Sequence, residues 1–305
     1  MTVDSYLHVQ FKNILFATDF SSASKAAAPY AAEIAKHYGA KLFALHIRPP
    51  VLNPMTPPAS WKSIEEGARV EEEQQKRELL RMFPEHPPEI LIREGDLWSN
   101  LNDVMERDKI DLIVIGTRGR TGVGKLLLGS TAEEIFRQAR CPVLTVGPHM
   151  ADASRRSGEI TRILFATDFS PESVAAASYA VSLAEEFQAY LTLLHVIEEP
   201  KVRDLVQPAD LVMSSERLLR QLVPAEAELW CVPDYVVERG MAAETILDVA
   251  RGRKSELIIL GVRRPTGIPG AATHLPVATA HKIVSHATCP VLTVRGGFSG
   301  RQYTE

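Results

Sequence analysis

The sequence lacks the features typical of membrane-spanning, secreted or metal-stabilised proteins. It has no uninterrupted run of about 18 apolar residues, which argues against a transmembrane helix. Residues 1–10 lack a basic start followed by an apolar stretch, so no secretory signal is expected. The three cysteines, Cys141, Cys231 and Cys289, form no CxxC pair, so neither a zinc site nor a disulfide framework is expected. We expect a cytoplasmic protein that has no membrane partner.

The chain also lacks an excess of basic charge. Its 305 residues carry a formal net charge of −4, and the isoelectric point is about 6.2. Nucleic acids are bound through a basic face, so this balance argues against a nucleic-acid partner. The apolar share of 45% is sufficient for hydrophobic cores. The length predicts two domains of about 150 residues each.

The chain contains two copies of one pattern. Three segments of the first copy recur in the second: 13–47 at 162–196, 111–116 at 256–261, and 141–146 at 289–294. Solenoid repeats have periods of only about 20 to 50 residues, so each copy is interpreted as a complete domain. We predict domains at residues 1–147 and 158–297. The linker between them is rich in glycine, proline, serine and charged residues.

Within each copy, short apolar segments alternate with segments of helical period. Apolar runs such as ILFA and DLIVIG are typical of strands that are covered on both faces. Ala31, Ile34 and Ala35 fall at helical spacing, and Gly39 is expected to end that helix. The order predicts two Rossmann-like, doubly wound α/β domains, each with a five-stranded parallel sheet sandwiched by helices. In such sheets ligands bind beyond the carboxyl ends of the strands, where the strand order reverses.

A glycine-rich segment, GTRGRTGVGKLLLGST at 116–131, follows the fourth predicted strand. Its glycines permit close backbone approach, and Ser130 and Thr131 stand where a helix is expected to begin. Such a loop presents backbone N–H groups and the positive end of a helix dipole to an anion. Three cations lie in the same loop: Arg118, Arg120 and Lys125. The segment therefore predicts a polyphosphate site.

Two other interpretations of the loop stay open on its residues alone. Glycine-rich loops after a strand often only turn the chain. The segment 119–125, GRTGVGK, also matches the GxxxxGK part of a P-loop, but Leu126 replaces the serine or threonine that would hold Mg²⁺. Lys125 is also expected in mid-loop, because the next helix is predicted to begin near Ser130.

The spacing of the glycines is similar to a family pattern. The sequence resembles the universal stress protein family, whose ATP-binding pattern G-x2-G-x9-G-[S/T] is matched by Gly116, Gly119, Gly129 and Ser130. The resemblance covers both copies, from FATDFS to CPVLTV. It implies that ATP is bound, with Mg²⁺ as a candidate companion ion, and that Ala17, Thr18 and Asp19 line the adenine and ribose region with Ile47 against the base. It further implies that ribose and phosphates are held by Gly116, Arg118, Gly119, Gly129, Ser130 and Thr131.

Some of these residues have a second interpretation. Asp19 could accept hydrogen bonds from a ribose or base, or cap the following turn, and its place at the switch point favours the ligand. Ser130 could bind phosphate, cap the helix, or do both. His46 is expected to be a packed residue, since no partner for a catalytic base is evident. No catalytic residue and no metal ligand is assigned.

The second copy departs from the pattern. Three of its positions change: Arg264 stands for Gly119, Val277 for Gly129 and Ala278 for Ser130. We therefore expect a degenerate phosphate motif, while Asp168 and Val196 could retain a base or ribose pocket for a different ligand. The two CPVLTV strands are expected to pair the domains edge to edge, because an exposed apolar edge must be covered.

Three functions follow as hypotheses. The resemblance implies a nucleotide-dependent regulatory or stress-response protein, in which ATP occupancy changes the shape or partner affinity of the two-domain chain. A slow ATPase or phosphoryl- or adenylyl-transfer enzyme is the second hypothesis, although only Asp19 lies in the expected region. A nucleotide-free interaction module is the third, and the intact glycine pattern disfavours it. The sequence does not identify the protein partner, and homodimer formation stays open.

Overall fold

The computed structural model describes residues 8–50, 61–117, 129–147, 158–198, 208–229, 231–262 and 275–295. The first half contains β1 (Asn13–Ala17), α1 (Ser22–Tyr38), β2 (Lys41–Arg48), α2 (Trp61–Met82), β3 (Glu89–Glu94), α3 (Leu97–Arg107), β4 (Leu112–Gly116), α4 (Ser130–Gln138) and β5 (Val143–Val146). The second half contains β6 (Arg162–Thr167), α5 (Pro171–Glu186), β7 (Tyr190–Ile197), α6 (Pro208–Arg220), a 3₁₀-helix (Ala225–Leu229), β8 (Asp234–Arg239), α7 (Ala242–Gly252), β9 (Leu257–Val262), α8 (Leu275–His286) and β10 (Val291–Arg295).

The ten strands form one continuous sheet. Their order is β3-β2-β1-β4-β5-β10-β9-β6-β7-β8. The strand pairs within each half are parallel, and β5 pairs with β10 in antiparallel orientation. Both predictions are confirmed: each half is a doubly wound α/β unit with five parallel strands, and the two CPVLTV strands join the units edge to edge.

Helices cover both faces of this sheet. On one face, α1 and α5 pack into a single hydrophobic cluster that includes Ile34 and Leu183. On the other face, α3, α4, α7 and α8 share a second cluster that includes Phe136 and Ile283. Gly39 ends α1 with φ 59°, the left-handed conformation that glycine adopts without strain, as the sequence predicted. No helix within the described ranges is long and apolar enough to cross a membrane.

Helix α1 passes very close to the end of β4. A Cβ added at Gly116 would lie 2.7 Å from the carbonyl oxygen of Ala23. The second half repeats this contact, since a Cβ added at Gly261 would lie 2.5 Å from the carbonyl oxygen of Glu172 in α5. Real Cβ atoms do not approach backbone this closely, so both glycines are required by helix–sheet packing. The packing requirement alone explains why Gly261 is retained where the rest of the glycine pattern is lost.

We expect Gly261→Ala to lower the free energy of unfolding by roughly 1–3 kcal/mol, because the methyl group forces α5 away from the sheet. Gly67→Ala is the matched control, since Gly67 lies within α2 and has no atom within 4 Å of an added Cβ. Alanine there should raise the free energy of unfolding by about 0.5–1 kcal/mol through helix propensity. Urea denaturation followed by circular dichroism measures the free energy of unfolding of both variants. Equal changes in the two variants would contradict the packing argument.

Candidate functional site

The candidate site lies at the switch point of the first half. β1 pairs with β2 on one side and with β4 on the other, so that Ala17 is opposite both Leu45 and Ile115. The chain leaves β1 towards β2 and β3 and later returns to β4 on the opposite side. A crevice at the carboxyl ends of β1 and β4 follows from this reversal. The segments that the sequence predicts to bind a ligand follow strands that end at this crevice.

The turn after β1 is held by its own side chains. Thr18 is buried, and its Oγ1 accepts a hydrogen bond from the Phe20 amide at 2.9 Å. Asp19 Oδ1 accepts from the Ser21 amide at 3.0 Å, and Ser21 rather than Asp19 caps α1 by accepting from the Ser24 amide. Asp19 therefore closes the turn, the second of the two interpretations that its sequence position allowed.

Phe20 and His46 form a packed unit behind this turn. Phe20 has φ 62°, a left-handed conformation that is unusual for a residue other than glycine. Its ring centroid lies 4.7 Å from that of His46, which is buried. His46 Nδ1 donates to the Thr18 carbonyl at 2.8 Å. The packed role expected for His46 agrees with these contacts, and the imidazole fixes the turn that carries Thr18 and Asp19.

Ala17 and Ile47 lie at the ends of neighbouring strands on the same face as α4. Both are partly buried and pack against the hydrophobic cluster that also contains Ala132 and Ile135. Their apolar surfaces therefore face the layer in which the predicted phosphate-binding helix lies.

The beginning of α4 is brought to the end of β4 by one backbone hydrogen bond. The Gly129 amide donates to the Thr117 carbonyl at 2.8 Å, which closes the loop between these residues. Gly129 is the N-cap of α4 and, having no side chain, makes no side-chain capping bond. The amides of the next three residues point out of the first turn without intrahelical acceptors. Within the described residues no side chain caps these amides, and together with the helix dipole they are suited to an anion.

The conformation of Gly129 does not itself require glycine. Its φ of −62° and ψ of 149° are accessible to any residue, and serine, asparagine or aspartate would cap the helix better. Thr131 is exposed at the first turn. Only the backbone of Ser130 is described, and Arg118 and Gly119 lie outside the described residues, as do Arg120 and Lys125.

One carboxylate lies in the first turn of α4. Glu133 is 3.2 Å from Arg137 Nε, one helical turn further along. This ion pair partly neutralises the negative charge of Glu133, so it reduces the repulsion between that carboxylate and an incoming anion.

The cysteines are buried away from solvent. Cys141, which follows α4, is one of three buried free thiols. Burial raises the pKa of Cys141 to about 12 and also raises the pKa of Cys231. Both groups are therefore protonated at neutral pH and present no thiolate nucleophile.

The second half builds the corresponding place differently. Aligned on the two CPVLTV segments, Ala278 corresponds to Ser130, but α8 already begins at Leu275. Ala278 is therefore the fourth residue of its helix, whereas Ser130 is the first of α4. Asp168 Oδ1 accepts from the Ser170 amide and from Ser173 Oγ, at 3.0 and 2.8 Å. Arg264 lies outside the described residues.

Thr117 was missed by the sequence reasoning. Its side chain is 2% exposed, and its Oγ1 has no hydrogen-bond partner in the described part of the chain. The second half has Val262 at this position, directly after Gly261. A comparison of the two copies could have identified it, since only the copy with the intact glycine pattern carries a hydroxyl here. An unpaired buried hydroxyl is costly unless a ligand satisfies it.

We expect Thr117→Val to leave the free energy of unfolding of the unliganded protein unchanged or to raise it by up to about 1 kcal/mol, since no hydrogen bond is lost. Thr145→Val is the matched control, because Thr145 is also buried but donates to the Val291 carbonyl at 3.1 Å. That substitution should lower the free energy of unfolding by about 1 kcal/mol. Chemical denaturation of both variants measures these changes in the free energy of unfolding. Equal losses of stability in the two variants would show that the Thr117 hydroxyl is paired.

The chain is similar to known proteins in family pattern, in sequence and in structure. The model of the universal stress protein family matches residues 10–147 and again 159–295. A universal stress protein of Methanocaldococcus jannaschii is 36% identical over 141 residues, which are 45% of this chain and 82% of that protein. One from Mycolicibacterium smegmatis is 27% identical over 301 residues, covering 92% of this chain and 96% of that protein.

A solved structure shares the whole architecture. The universal stress protein from Archaeoglobus fulgidus matches with a TM-score of 0.68 and 19% identity, over 95% of this chain and 100% of that chain. At this identity the likeness concerns the fold alone. The two family matches, one in each half, lead to the same result: the chain belongs to the universal stress protein family and contains two such units in tandem.

Proposed function

We propose that the first domain binds ATP and that the chain acts in the cytoplasm as a nucleotide-dependent regulatory protein of the stress response. In this proposal Ala17, Thr18, Asp19 and Ile47 receive the adenine and ribose. The ribose and phosphates are received by Gly116, Arg118, Gly119, Gly129, Ser130 and Thr131. Mg²⁺ enters as the companion ion of the phosphates.

One observation carries the proposal. The Gly129–Thr117 hydrogen bond holds an uncapped helix N-terminus beside the switch-point crevice. Serine, asparagine or aspartate at this N-cap would stabilise the helix slightly more than glycine, by about a few tenths of a kcal/mol, and the backbone conformation of Gly129 does not demand glycine. A glycine here makes sense if an anion rather than a side chain satisfies the first-turn amides.

The two halves are proposed to differ in what they bind. The residue that corresponds to Ser130 lies one turn inside α8, so its amide belongs to the helix interior and not to the first-turn amides that an anion would contact. We propose that its phosphate motif is degenerate and that its main role is to pair with the first domain through β10. Membership of the family supports nucleotide binding by the chain. Catalysis is not part of the proposal, and the partner protein is left unspecified.

We expect nucleotide-stripped protein to bind one ATP per chain in calorimetric titration with Mg²⁺, and Gly129→Asp to weaken binding at least tenfold. An aspartate at this N-cap caps the helix, so the free energy of unfolding should change by only a few tenths of a kcal/mol or rise. It nevertheless places a carboxylate where a phosphate would lie. The substitution therefore separates loss of binding from loss of folding.

Met241→Asp is the matched control, because Met241 is the exposed N-cap of α7 and likewise makes no side-chain capping bond. It adds the same charge at a helix start in the other half and should leave ATP affinity unchanged. A wild-type protein that binds none of ATP, ADP and AMP would contradict the proposal and favour a nucleotide-free interaction module. Two ATP per chain would contradict the degenerate second site.

A further inference from the structure

The last residue of β10 is a buried cation at the junction of the two halves. Arg295 is 6% exposed. Its Nη2 donates a hydrogen bond to the carbonyl oxygen of Phe136, and its guanidinium carbon lies 6.0 Å from the centroid of the Phe136 ring. Phe136 belongs to α4 of the first domain, whereas Arg295 belongs to the second family match. A side chain of one domain therefore holds a helix of the other.

The contact is at the end of α4 where a cation is most favourable. The last four carbonyls of a helix have no intrahelical partner, and the C-terminal end carries a partial negative charge. Phe136 lies in the last turn of α4, one residue after Ile135, whose carbonyl accepts from the Ala139 amide. Arg295 thus satisfies a carbonyl that the helix itself leaves open, and this partner lowers the cost of burying the guanidinium.

The exchange between the domains is one-sided. Gly147 follows the first CPVLTV segment and Arg295 follows the second, so the two positions correspond. A Cβ added at Gly147 would lie 3.3 Å from the Ala287 carbonyl oxygen and 4.0 Å from that of Val284, at the end of α8. Each position therefore faces the end of the opposite helix. Of these two positions, only Arg295 carries a charged side chain, and it contacts α4, the helix whose other end carries the proposed phosphate site.

We propose that Arg295 is a positioning residue for the nucleotide site and that the second domain contributes through it to the phosphate affinity of the first. This inference rests on the proposed function. Helix α4 has nine residues and rises about 1.5 Å per residue, so holding its C-terminal end also fixes where its first-turn amides lie. By linkage, bound phosphate stabilises the contact of Arg295 with α4 as much as this contact favours phosphate binding.

The test compares ATP with adenosine in calorimetric titrations of the full chain. Arg295→Met removes the charge and the donor but keeps an unbranched apolar side chain. We expect it to weaken ATP binding about fivefold or more, the lower end of typical couplings between sites, and to leave adenosine affinity unchanged because adenosine has no phosphates. Arg295→Lys keeps the charge and should recover most of the ATP affinity.

Four outcomes decide the inference. A wild type that fails to bind ATP contradicts the proposed function, whereas equal ATP affinity of wild type and Arg295→Met overturns only the role of Arg295. Equal losses for ATP and adenosine also overturn it, since they indicate a general structural defect. If Arg295→Met does not fold, Arg295→Gln replaces it, because glutamine keeps a hydrogen-bond donor without the charge. The Arg295→Gln protein should bind ATP more weakly than the Arg295→Lys protein. Equal ATP affinities of these two variants would overturn the inference.

Discussion

The antiparallel pairing of β5 with β10 determines where the other elements of the chain lie. Leu144 is opposite Leu292 at its centre. Two buried hydroxyls reinforce it from both sides, since Thr145 donates to the Val291 carbonyl at 3.1 Å and Thr293 donates to the Val143 carbonyl at 3.2 Å. Because the pairing is nearly two-fold symmetric, it places α1 beside α5 on one face and the ends of α4 and α8 near the junction on the other.

The contacts across this junction couple the halves beyond the sheet. On the α1 side, the Val9 amide donates to Ser182 Oγ at 2.9 Å, and the rings of His37 and Phe187 have centroids 4.2 Å apart. Gly158, at the start of the second half, lies so close to Pro29 that an added Cβ would be 2.7 Å from its carbonyl oxygen. The two halves therefore share hydrophobic cores as well as an edge, so a shift in one helix layer is opposed by residues of both halves.

Much of this architecture could be predicted because it depends on local pattern and repetition. Apolar runs separated by helical periods give the parallel strands, and the duplicated CPVLTV segment indicates which edge is shared. The residues of the site were harder to predict than the fold, because a glycine can be required for several reasons. Gly116 was assigned to a ligand, yet its contact with α1 requires a glycine by itself, as Gly261 demonstrates in the half that lacks the motif. No local pattern reveals the buried hydroxyl of Thr117 or the contact of Arg295 with α4, although both residues interrupt the correspondence between the copies.

Those interruptions require that the two paired units differ in sequence, which a fused pair allows. If two identical units met along this edge, the residue after CPVLTV would be the same on both sides. Here Arg295 reaches α4, whereas a Cβ at Gly147 would already lie 3.3 Å from the Ala287 carbonyl. The helices α4 and α8 also differ between the copies. Helix α8 begins about one turn earlier than the corresponding helix α4, and α4 begins after a glycine N-cap. Under the proposed function, one copy keeps the free helix N-terminus that a phosphate needs, and the other copy holds that helix in place. Fusion permits this division because each copy can then change without imposing the same change on its partner.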